Sequence, residues 1–238
     1  RGTCGENFDN LTWTIDQNHV LRIQGSGEMS VGVMRERWKN VKTVVIGEGV
    51  TNIDVFAFYK CSNIEKIIIP ESVTSIESFA FAGCSSIEKI IIPESVLSIE
   101  EYAFYECSSL KNIVLSEGIT NIEESTFSGC SSLGRITIPE TVTQIGKSAF
   151  ARCSNLENIV IPDGVKSIED STFSRCDSLK NITIPETVTS IGIFAFGHCS
   201  SLESVTIPEN VTTIRDGTFS YCTNLKSIAI PQSVVNIE

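Results

Sequence analysis

Nine cysteines and two histidines are the side chains of this chain that could hold a metal, form disulfides or act as nucleophile and base. Eight of the cysteines recur every 23 residues, without insertion or deletion. The series contains no interleaved histidine and no C-x-x-C pair, so it lacks the ligand spacing of a zinc site. His19 and His198 are far apart, and no G-x-S-x-G, H-E-x-x-H or phosphate-binding loop accompanies them. These residues predict no metal, no cofactor and no enzymatic activity.

The cysteine series runs in register with a phenylalanine series. Each phenylalanine stands three residues before its cysteine, in the pairs Phe58–Cys61, Phe81–Cys84, Phe104–Cys107, Phe127–Cys130, Phe150–Cys153, Phe173–Cys176, Phe196–Cys199 and Phe219–Cys222. The Cβ vectors of stacked identical positions run parallel, which suits disulfide geometry poorly, and a buried thiol packs as a small hydrophobe. We therefore expect eight reduced, packed thiols. Cys4 lies outside the series and could pair with a second molecule.

A column of acids offers a second possible chemistry, because one carboxylate follows each predicted strand. Its members are Glu48, Glu71, Glu94, Glu117, Glu140, Asp163, Glu186 and Glu209. Like charges about 5 Å apart in water repel by less than about 1 kcal/mol per pair, so a solvated column is tolerable. One interpretation is a solvated rim that Lys66, Lys89, Lys111 and Lys180 partly neutralise, and the other is a loosely bound divalent cation. We expect the solvated rim.

The elements that position these columns are short. In the unit 87–109, an x-I-x-I-x segment alternates with period two and predicts a strand with one buried face. Proline then ends the strand in seven coils, and Ser116 takes its place in another. Val73 and Ile76, with their equivalents, predict a second extended piece, and the A-F-x-x-C segment predicts a helical or 3₁₀ turn. A fixed period of this length marks a solenoid of stacked coils.

The consensus L-x-x-I-x-I-P-x-x-V-x-x-I-x-x-x-A-F-x-x-C resembles the BspA-like leucine-rich repeat, found in surface proteins of anaerobic bacteria and parasitic protists. The resemblance covers residues 41–238, with Pro, Phe and Cys in fixed register, and residues 3–16 look like the segment that often precedes such arrays. It implies a right-handed repeat solenoid with a parallel β-sheet on its concave side and short extended and 3₁₀ or helical turns on the other. It also implies a role in adhesion or ligand capture.

The two ends of the chain differ from the repeats. Residues 1–40 are predicted to form an N-terminal cap and residues 41–238 the solenoid. Alternating segments at 11–15 and 20–23 flank turn residues and predict a β-hairpin within the cap. Trp13 and Trp38 are expected to close the core there rather than to stack on a ligand. The chain stops halfway through a coil, so we expect the array to be truncated at its C-terminus.

Charge and hydropathy narrow the choice of partners. The formal net charge is −11 and the isoelectric point about 4.7, which argues against a nucleic-acid partner. No run of 18 apolar residues occurs, so no segment of the sequence is predicted to span a membrane. Sequons at Asn10, Asn181 and Asn210 would matter only in a eukaryotic source. We expect a monomer.

Two columns of outward strand residues form the candidate ligand surface on the concave side. In the N-terminal half, an apolar column of Val45, Ile68, Ile91 and Val114 runs beside a polar column of Lys66, Lys89, Asn112 and Arg135. Further along, the polar column turns to asparagine and serine, and the apolar column turns largely to threonine, as Thr137, Val160, Thr183, Thr206 and Ala229. An exposed apolar patch rimmed by charge often marks an interaction site, whereas Val, Ile and Thr also simply suit strands. Both interpretations stay open.

An aromatic cluster near the first repeat phenylalanines is the alternative site. Its members are Phe56, Tyr59, Phe79, Tyr102 and Tyr105. Repeats of the resembled family often carry an aromatic residue two positions before the phenylalanine, which favours packing on the convex side. The other interpretation is a patch that binds carbohydrate or protein.

The function expected from these features is a non-enzymatic extracellular binding module on a cell surface. It would be an adhesin that recognises a host or microbial surface protein, extracellular matrix included, through the concave face. The alternatives are a glycan-binding module and a rigid spacer that carries another domain.

Overall fold

The computed structural model describes residues 1–5, 10–30 and 35–238, which form a solenoid of short strands around one core. In chain order its elements are β1 (Gly2–Thr3), β2 (Leu11–Ile15), β3 (Val20–Gly25), α1 (Arg35–Trp38), β4 (Thr43–Ile46), β5 (Asn52–Ile53), β6 (Lys66–Ile68), β7 (Ser75–Ile76), β8 (Lys89–Ile91), β9 (Ser98–Ile99), β10 (Asn112–Val114), β11 (Asn121–Ile122), β12 (Gln144–Ile145), β13 (Asn158–Val160), β14 (Ser167–Ile168), β15 (Asn181–Thr183), β16 (Ser190–Ile191), β17 (Ser204–Thr206), β18 (Thr213–Ile214), β19 (Ser227–Ala229) and β20 (Asn236–Ile237). No helix among the described residues is long and apolar enough to cross a membrane.

Longer strands occupy one side of each coil, and their pairing follows the repeat. In the pair β4–β6, Thr43 lies opposite Lys66 and Val44 opposite Ile67, an offset of 23 residues. The long strands form three sheets rather than one, namely β4–β6 joined to the N-terminal strands, β8–β10, and β13–β15–β17–β19. In the coil between β10 and β13, a single bridge from Arg135 to Asn158 replaces the strand. The expected parallel sheet is present, with interruptions.

Two-residue strands form a second side of the coil. They pair in parallel as β5–β7–β9, β11–β12, β14–β16 and β18–β20. Their inward residue is an isoleucine such as Ile76, which is buried, and this is the second extended piece that the sequence predicts.

The predicted hairpin is confirmed. β2 and β3 pair antiparallel, with Trp13 opposite Ile23, and the carboxylate of Asp16 accepts hydrogen bonds from the N–H groups of Asn18 and Val20 at 2.9 and 3.1 Å. β3 also pairs in parallel with β4, with Val20 opposite Thr43 at the repeat offset of 23 residues. The hairpin thus adds two strands, and β1 a third, to the solenoid sheet on the N-terminal side of β4.

The A-F-x-x-C segment closes each coil as a run of backbone turns. Ala57, Tyr59 and Cys61 each donate to the carbonyl three residues back at 3.0–3.1 Å, while Phe58 donates to Ala80 of the next coil at 2.8 Å. Bonds across three residues are those of the expected 3₁₀ turn. No continuous helix forms here because two residues in each coil have a positive φ, which interrupts the helical conformation.

The core contains, beside its aliphatic residues, a phenylalanine ladder and a cysteine ladder, which confirm the predicted packing of these two series. The repeat phenylalanines from Phe58 to Phe219 stack ring on ring, with centroids 5.4–5.7 Å apart. The Cys84 thiol donates to the Phe58 carbonyl at 3.1 Å, and later cysteines repeat this bond at 3.1–3.2 Å. The structure describes all nine cysteines, and no disulfide joins any of them.

Cys4 directly follows β1 and is buried, with 2% of its surface exposed. Burial raises the pKa of its thiol to about 11, so little of it is ionised near neutral pH. Pairing of Cys4 with a second molecule, which the sequence left open, is therefore disfavoured by the structure.

The two tryptophans form the start of the core, as predicted. Trp38 stacks on Phe58 with centroids 5.3 Å apart, and Trp13 meets Trp38 edge-on at 6.2 Å. Both side chains are buried, so neither ring face is available to a ligand.

Candidate ligand-binding surface

The long-strand face, meaning the outward side of β4, β6, β8 and β10 together with Arg135, carries the residues predicted to bind a ligand. Seven of the eight side chains are exposed to solvent: Lys66, Ile68, Lys89, Ile91, Asn112, Val114 and Arg135. Val45 differs because it is half-buried, and β3 flanks it on the cap side with Arg22 directly opposite. The apolar row open to solvent therefore begins at Ile68.

Alternation along the strands leaves three large apolar side chains in solvent. Ile68 is 44% exposed, Ile91 59% and Val114 53%, whereas the inward neighbours of Ile91 are buried in the core. An exposed apolar row next to charged residues is typical of an interaction site.

The sheet is broken beneath this row. β4–β6 and β8–β10 belong to separate sheets, and no ladder pair joins β6 to β8 among the described residues. Within β8–β10, by contrast, Ile91 lies directly opposite Val114. We call the unpaired junction between β6 and β8 the strand gap.

An open depression of about 810 Å³ lies over the strand gap. Its apolar lining includes Ile67, Ile69 and Pro93 as well as the exposed Ile68 and Ile91, and Lys66 and Lys89 lie beside them. Four of the eight residues predicted from the sequence therefore line one depression. Val45, Asn112, Val114 and Arg135 belong to the same face but do not line it.

The ion pairs near this face involve neighbouring lysines and not the cations on the face itself. Lys42 pairs with Glu65 at 3.3 Å, and Lys111 pairs with Glu88 at 3.0 Å, in both cases between neighbouring coils. Within the described part of the chain, Lys66, Lys89 and Arg135 form no ion pair. The face thus presents three positive charges to solvent in a chain whose net charge is −11.

Two carboxylates of the acid column accept hydrogen bonds from the backbone, and within the described residues no member of the column forms an ion pair with the lysines expected to neutralise it. The Glu117 N–H donates to the Glu94 carboxylate at 3.1 Å, and the Glu209 N–H donates to that of Glu186 at 3.3 Å. The expectation for Lys111 is wrong, because it pairs with Glu88 outside the column. The described residues contain no group of three or more side chains placed to hold a metal ion.

The predicted aromatic cluster forms, and its rings stack on one another. Phe79 lies between Phe56 and Tyr102, with centroids 4.9 and 4.6 Å away, while Tyr59 and Tyr105 contact the stack edge-on. The Tyr102 hydroxyl donates to Glu124 at 2.7 Å, and this bond raises the pKa of the tyrosine. A sugar that packs on an aromatic residue needs a free ring face. Both faces of Phe79 are covered by its neighbours, which favours the packing interpretation.

A second groove, of about 640 Å³, was missed by the sequence analysis. It crosses five coils at the position two residues after each repeat phenylalanine, which is occupied in turn by Lys60, Gly83, Glu106, Gly129 and Arg152. Glycine alternates there with long charged side chains. The groove forms because Gly83 and Gly129 have no side chain to fill the space between their charged neighbours. Comparing this position across the repeats would have revealed it.

The BspA type leucine rich repeat region matches residues 36–157 and 143–238, in six copies. No curated protein matches the sequence significantly.

Several solved structures share the fold. A leucine rich repeat protein of T. pallidum is 29% identical, with a TM-score of 0.67 over 81% of this chain and 88% of that one. A leucine-rich repeat protein of Eubacterium ventriosum is 20% identical, with a TM-score of 0.51 over 97% and 91% of the two chains. The pneumococcal vaccine antigen PcpA is 20% identical, with a TM-score of 0.56 over 83% and 63%. The repeat pattern, the stacked coils and the matched region agree, and the chain belongs to the BspA-type leucine-rich repeat family.

Proposed function

We propose that this chain is a non-enzymatic binding module that recognises a protein on a host or microbial surface through the long-strand face. It would act outside the cell as an adhesin, with extracellular matrix among its possible targets. One observation supports this proposal above the others. The depression over the strand gap brings together exposed isoleucines and lysines without an ion pair, on a face that sequence analysis selected independently.

The described residues favour binding over catalysis. Burial raises the pKa of the ladder thiols, to about 12 for Cys107 and Cys153, so these groups are poor nucleophiles. His198 stacks on Tyr221 with ring centroids 4.4 Å apart, well away in sequence from His19 in the hairpin turn. The solenoid presents a long surface with repeating side chains, and solenoids commonly use such surfaces to bind other proteins.

The proposal is tested by surface plasmon resonance against a panel of extracellular-matrix proteins, together with binding to intact epithelial cells. The test variant carries Ile68→Glu and Ile91→Glu, which place two charges in the depression. The matched control carries Thr183→Glu and Thr206→Glu, two exposed residues in the same column of the C-terminal half. Circular dichroism checks that both variants remain folded.

We expect saturable binding by the wild type and by the threonine variant, and a loss of at least tenfold, or about 1.4 kcal/mol, in the isoleucine variant. Equal binding by all three proteins would contradict a site on this face and move attention to the aromatic cluster. No binding by any of them would favour the spacer alternative.

A further inference from the structure

We propose that the strand gap anchors an acidic, extended segment of the partner protein. The segment packs an apolar side chain against Ile68 and Ile91 and places carboxylates beside Lys66 and Lys89. This inference rests on the proposed function and specifies the class of partner.

Ile68 and Ile91 give the depression its exposed apolar surface. In β8–β10 the ladder holds Ile91 directly opposite Val114, so neighbouring outward side chains stand close together. β6 and β8 contact each other without such a ladder, and Ile68 and Ile91 line one open depression above them. When an apolar side chain enters a depression lined by exposed isoleucines, apolar surface on both partners is removed from water, which favours binding.

The charges around the gap favour an acidic partner. Two of the acids that line it are already paired, Glu65 with Lys42 and Glu88 with Lys111, which leaves Glu71 as the acid without an ion pair in the described structure. Lys66 and Lys89, which also form no ion pair in the described structure, give the lining two positive charges against this one negative charge. A partner with carboxylates at these positions gives the complementary potential that steers association and fixes orientation.

The rest of the molecule strengthens this selectivity. The chain carries a net charge of −11, so an acidic segment is repelled from most of its surface. Positive charge without an acidic partner on the long-strand face is concentrated at Lys66, Lys89 and Arg135. The strand gap therefore combines lysines that attract an acidic segment with isoleucines that contact its apolar side chains.

The spacing of the two columns sets the conformation of the segment. Lys66 and Ile68 point to the same side of β6, two residues apart, which is about 7 Å in a strand. An extended segment running beside the strands repeats the same distance between its residues i and i+2. Its recognition pattern is thus a carboxylate and an apolar side chain separated by one residue.

Fluorescence anisotropy with a labelled peptide tests the inference. The probe is a peptide of about 12 residues built from the repeat Glu-Ser-Leu-Ser, which presents alternating acid and leucine on one side when extended. One control peptide has lysine in place of every glutamate, and the other has serine in place of every leucine. We expect saturable binding of the probe, at least about tenfold weaker binding of either control, and weaker binding as salt rises from about 50 to about 500 mM.

Protein variants locate the binding. We expect Lys66→Glu with Lys89→Glu, and separately Ile68→Ser with Ile91→Ser, to weaken probe binding at least about tenfold. Lys166→Glu with Lys180→Glu is the matched control, because it makes the same change in net charge at exposed lysines outside the depression. This variant is expected to bind within about twofold of the wild type.

The outcomes separate this inference from the proposed function. Absence of saturable probe binding, equal binding of the lysine peptide, or unchanged binding by the gap variants overturns the acidic segment. If the isoleucine-to-glutamate variant still loses binding to the surface proteins, the long-strand face remains the site and its partner has another chemistry. If the probe binds at the gap and no surface protein does, the anchor stands and the proposed target class is wrong.

Discussion

Trp38 stacks on Phe58 with ring centroids 5.3 Å apart and an angle of 28° between the rings, which joins the cap to the aromatic ladder of the coils. Phe58 stacks in turn on Phe81 at 5.4 Å, and the series continues to Phe219. Trp38 therefore covers the first ring of a ladder in which each ring buries the next. We therefore expect this contact to stabilise the N-terminal coils, which carry the candidate binding surface.

Replacing Trp38 with alanine is expected to lower the free energy of unfolding by about 3–5 kcal/mol, because the side chain is fully buried and leaves a cavity over Phe58. Urea denaturation followed by circular dichroism measures the change. Trp38→Phe retains a ring over Phe58, so its free energy of unfolding should fall clearly less than that of Trp38→Ala. An alanine variant with wild-type stability would show that the cap does not stabilise the coils through this stack.

Residues with positive φ offer a way to stabilise the solenoid. Arg152 has a φ of 60°, and its equivalents Gly83 and Gly129 are glycines. The left-handed conformation costs a side chain about 1–2 kcal/mol, and the extra flexibility of glycine in the unfolded chain offsets about 0.5–1 kcal/mol. Arg152→Gly should therefore stabilise by about 0.5–1 kcal/mol in urea denaturation.

Lys180→Gly is the control for this change, because Lys180 is also an exposed basic residue but is not among those with positive φ. It should lower stability. If both glycine variants shift the urea midpoint in the same direction, the left-handed conformation at Arg152 does not strain the fold.

Ser116 replaces a repeat proline and supplies a hydrogen bond that its own coil otherwise lacks. Its hydroxyl donates to the Val96 carbonyl at 2.6 Å and accepts from the Gly118 N–H at 3.1 Å. In the preceding coil Ser95, the equivalent of Gly118, makes the matching bond to Val73 at 2.7 Å. Ser116→Ala leaves buried groups unpaired and should lower the free energy of unfolding by about 1–3 kcal/mol in urea denaturation.

The double variant Ser116→Pro with Gly118→Ser restores the arrangement of the other coils and should recover most of that loss. A Cβ at Gly118 would meet the exposed, movable Leu97 side chain, so space can be made for it. If the double variant is less stable than Ser116→Ala, the two positions do not substitute for one another.

Stability should fall at alkaline pH because of the cysteine ladder. Burial raises the pKa of Cys107 to about 12 from an ordinary value of 9.0, so the thiol stays protonated in the native state while it ionises in the unfolded chain. The unfolded state then binds fewer protons, and the free energy of unfolding decreases between about pH 9 and pH 12 by up to about 1.4 kcal/mol per pH unit for each such thiol.

Urea denaturation at a series of pH values measures this slope. Cys107→Ala removes one thiol and should make the decline less steep, while lysine and tyrosine ionisation affects both proteins alike. Identical slopes for the variant and the wild type would show that Cys107 does not contribute to the alkaline loss of stability.

The periodic residues could be predicted because burial fixes them. Phenylalanine and cysteine recur in register since each must pack on its own equivalent in the next coil, and the alternation of Ile67 and Ile69 around Ile68 reports which side faces the core. The hairpin at β2–β3 was also predictable from alternation and turn residues.

The strand gap and the positive-φ positions could not be predicted in the same way. Residues 64–73 and 87–96 have the same sequence, I-E-K-I-I-I-P-E-S-V, so nothing local distinguishes β6 from β8 or marks the break between them. Phe79 and Tyr102 adopt positive φ although bulky residues rarely do. There the bonds between coils and the stacked rings override local preference.

Hydroxyl-radical footprinting of the protein bound to epithelial cells tests the central claim, a binding site on the long-strand face, most directly. Ile68, Ile91 and Val114 report on the proposed site, and Val160, which is exposed on a later strand of the same side, is the internal control. Oxidation of Ile68 and Ile91 should fall on binding, while that of Val160 should be unchanged. Unchanged oxidation of both isoleucines, with protection confined to Phe56 and Tyr105, would contradict it.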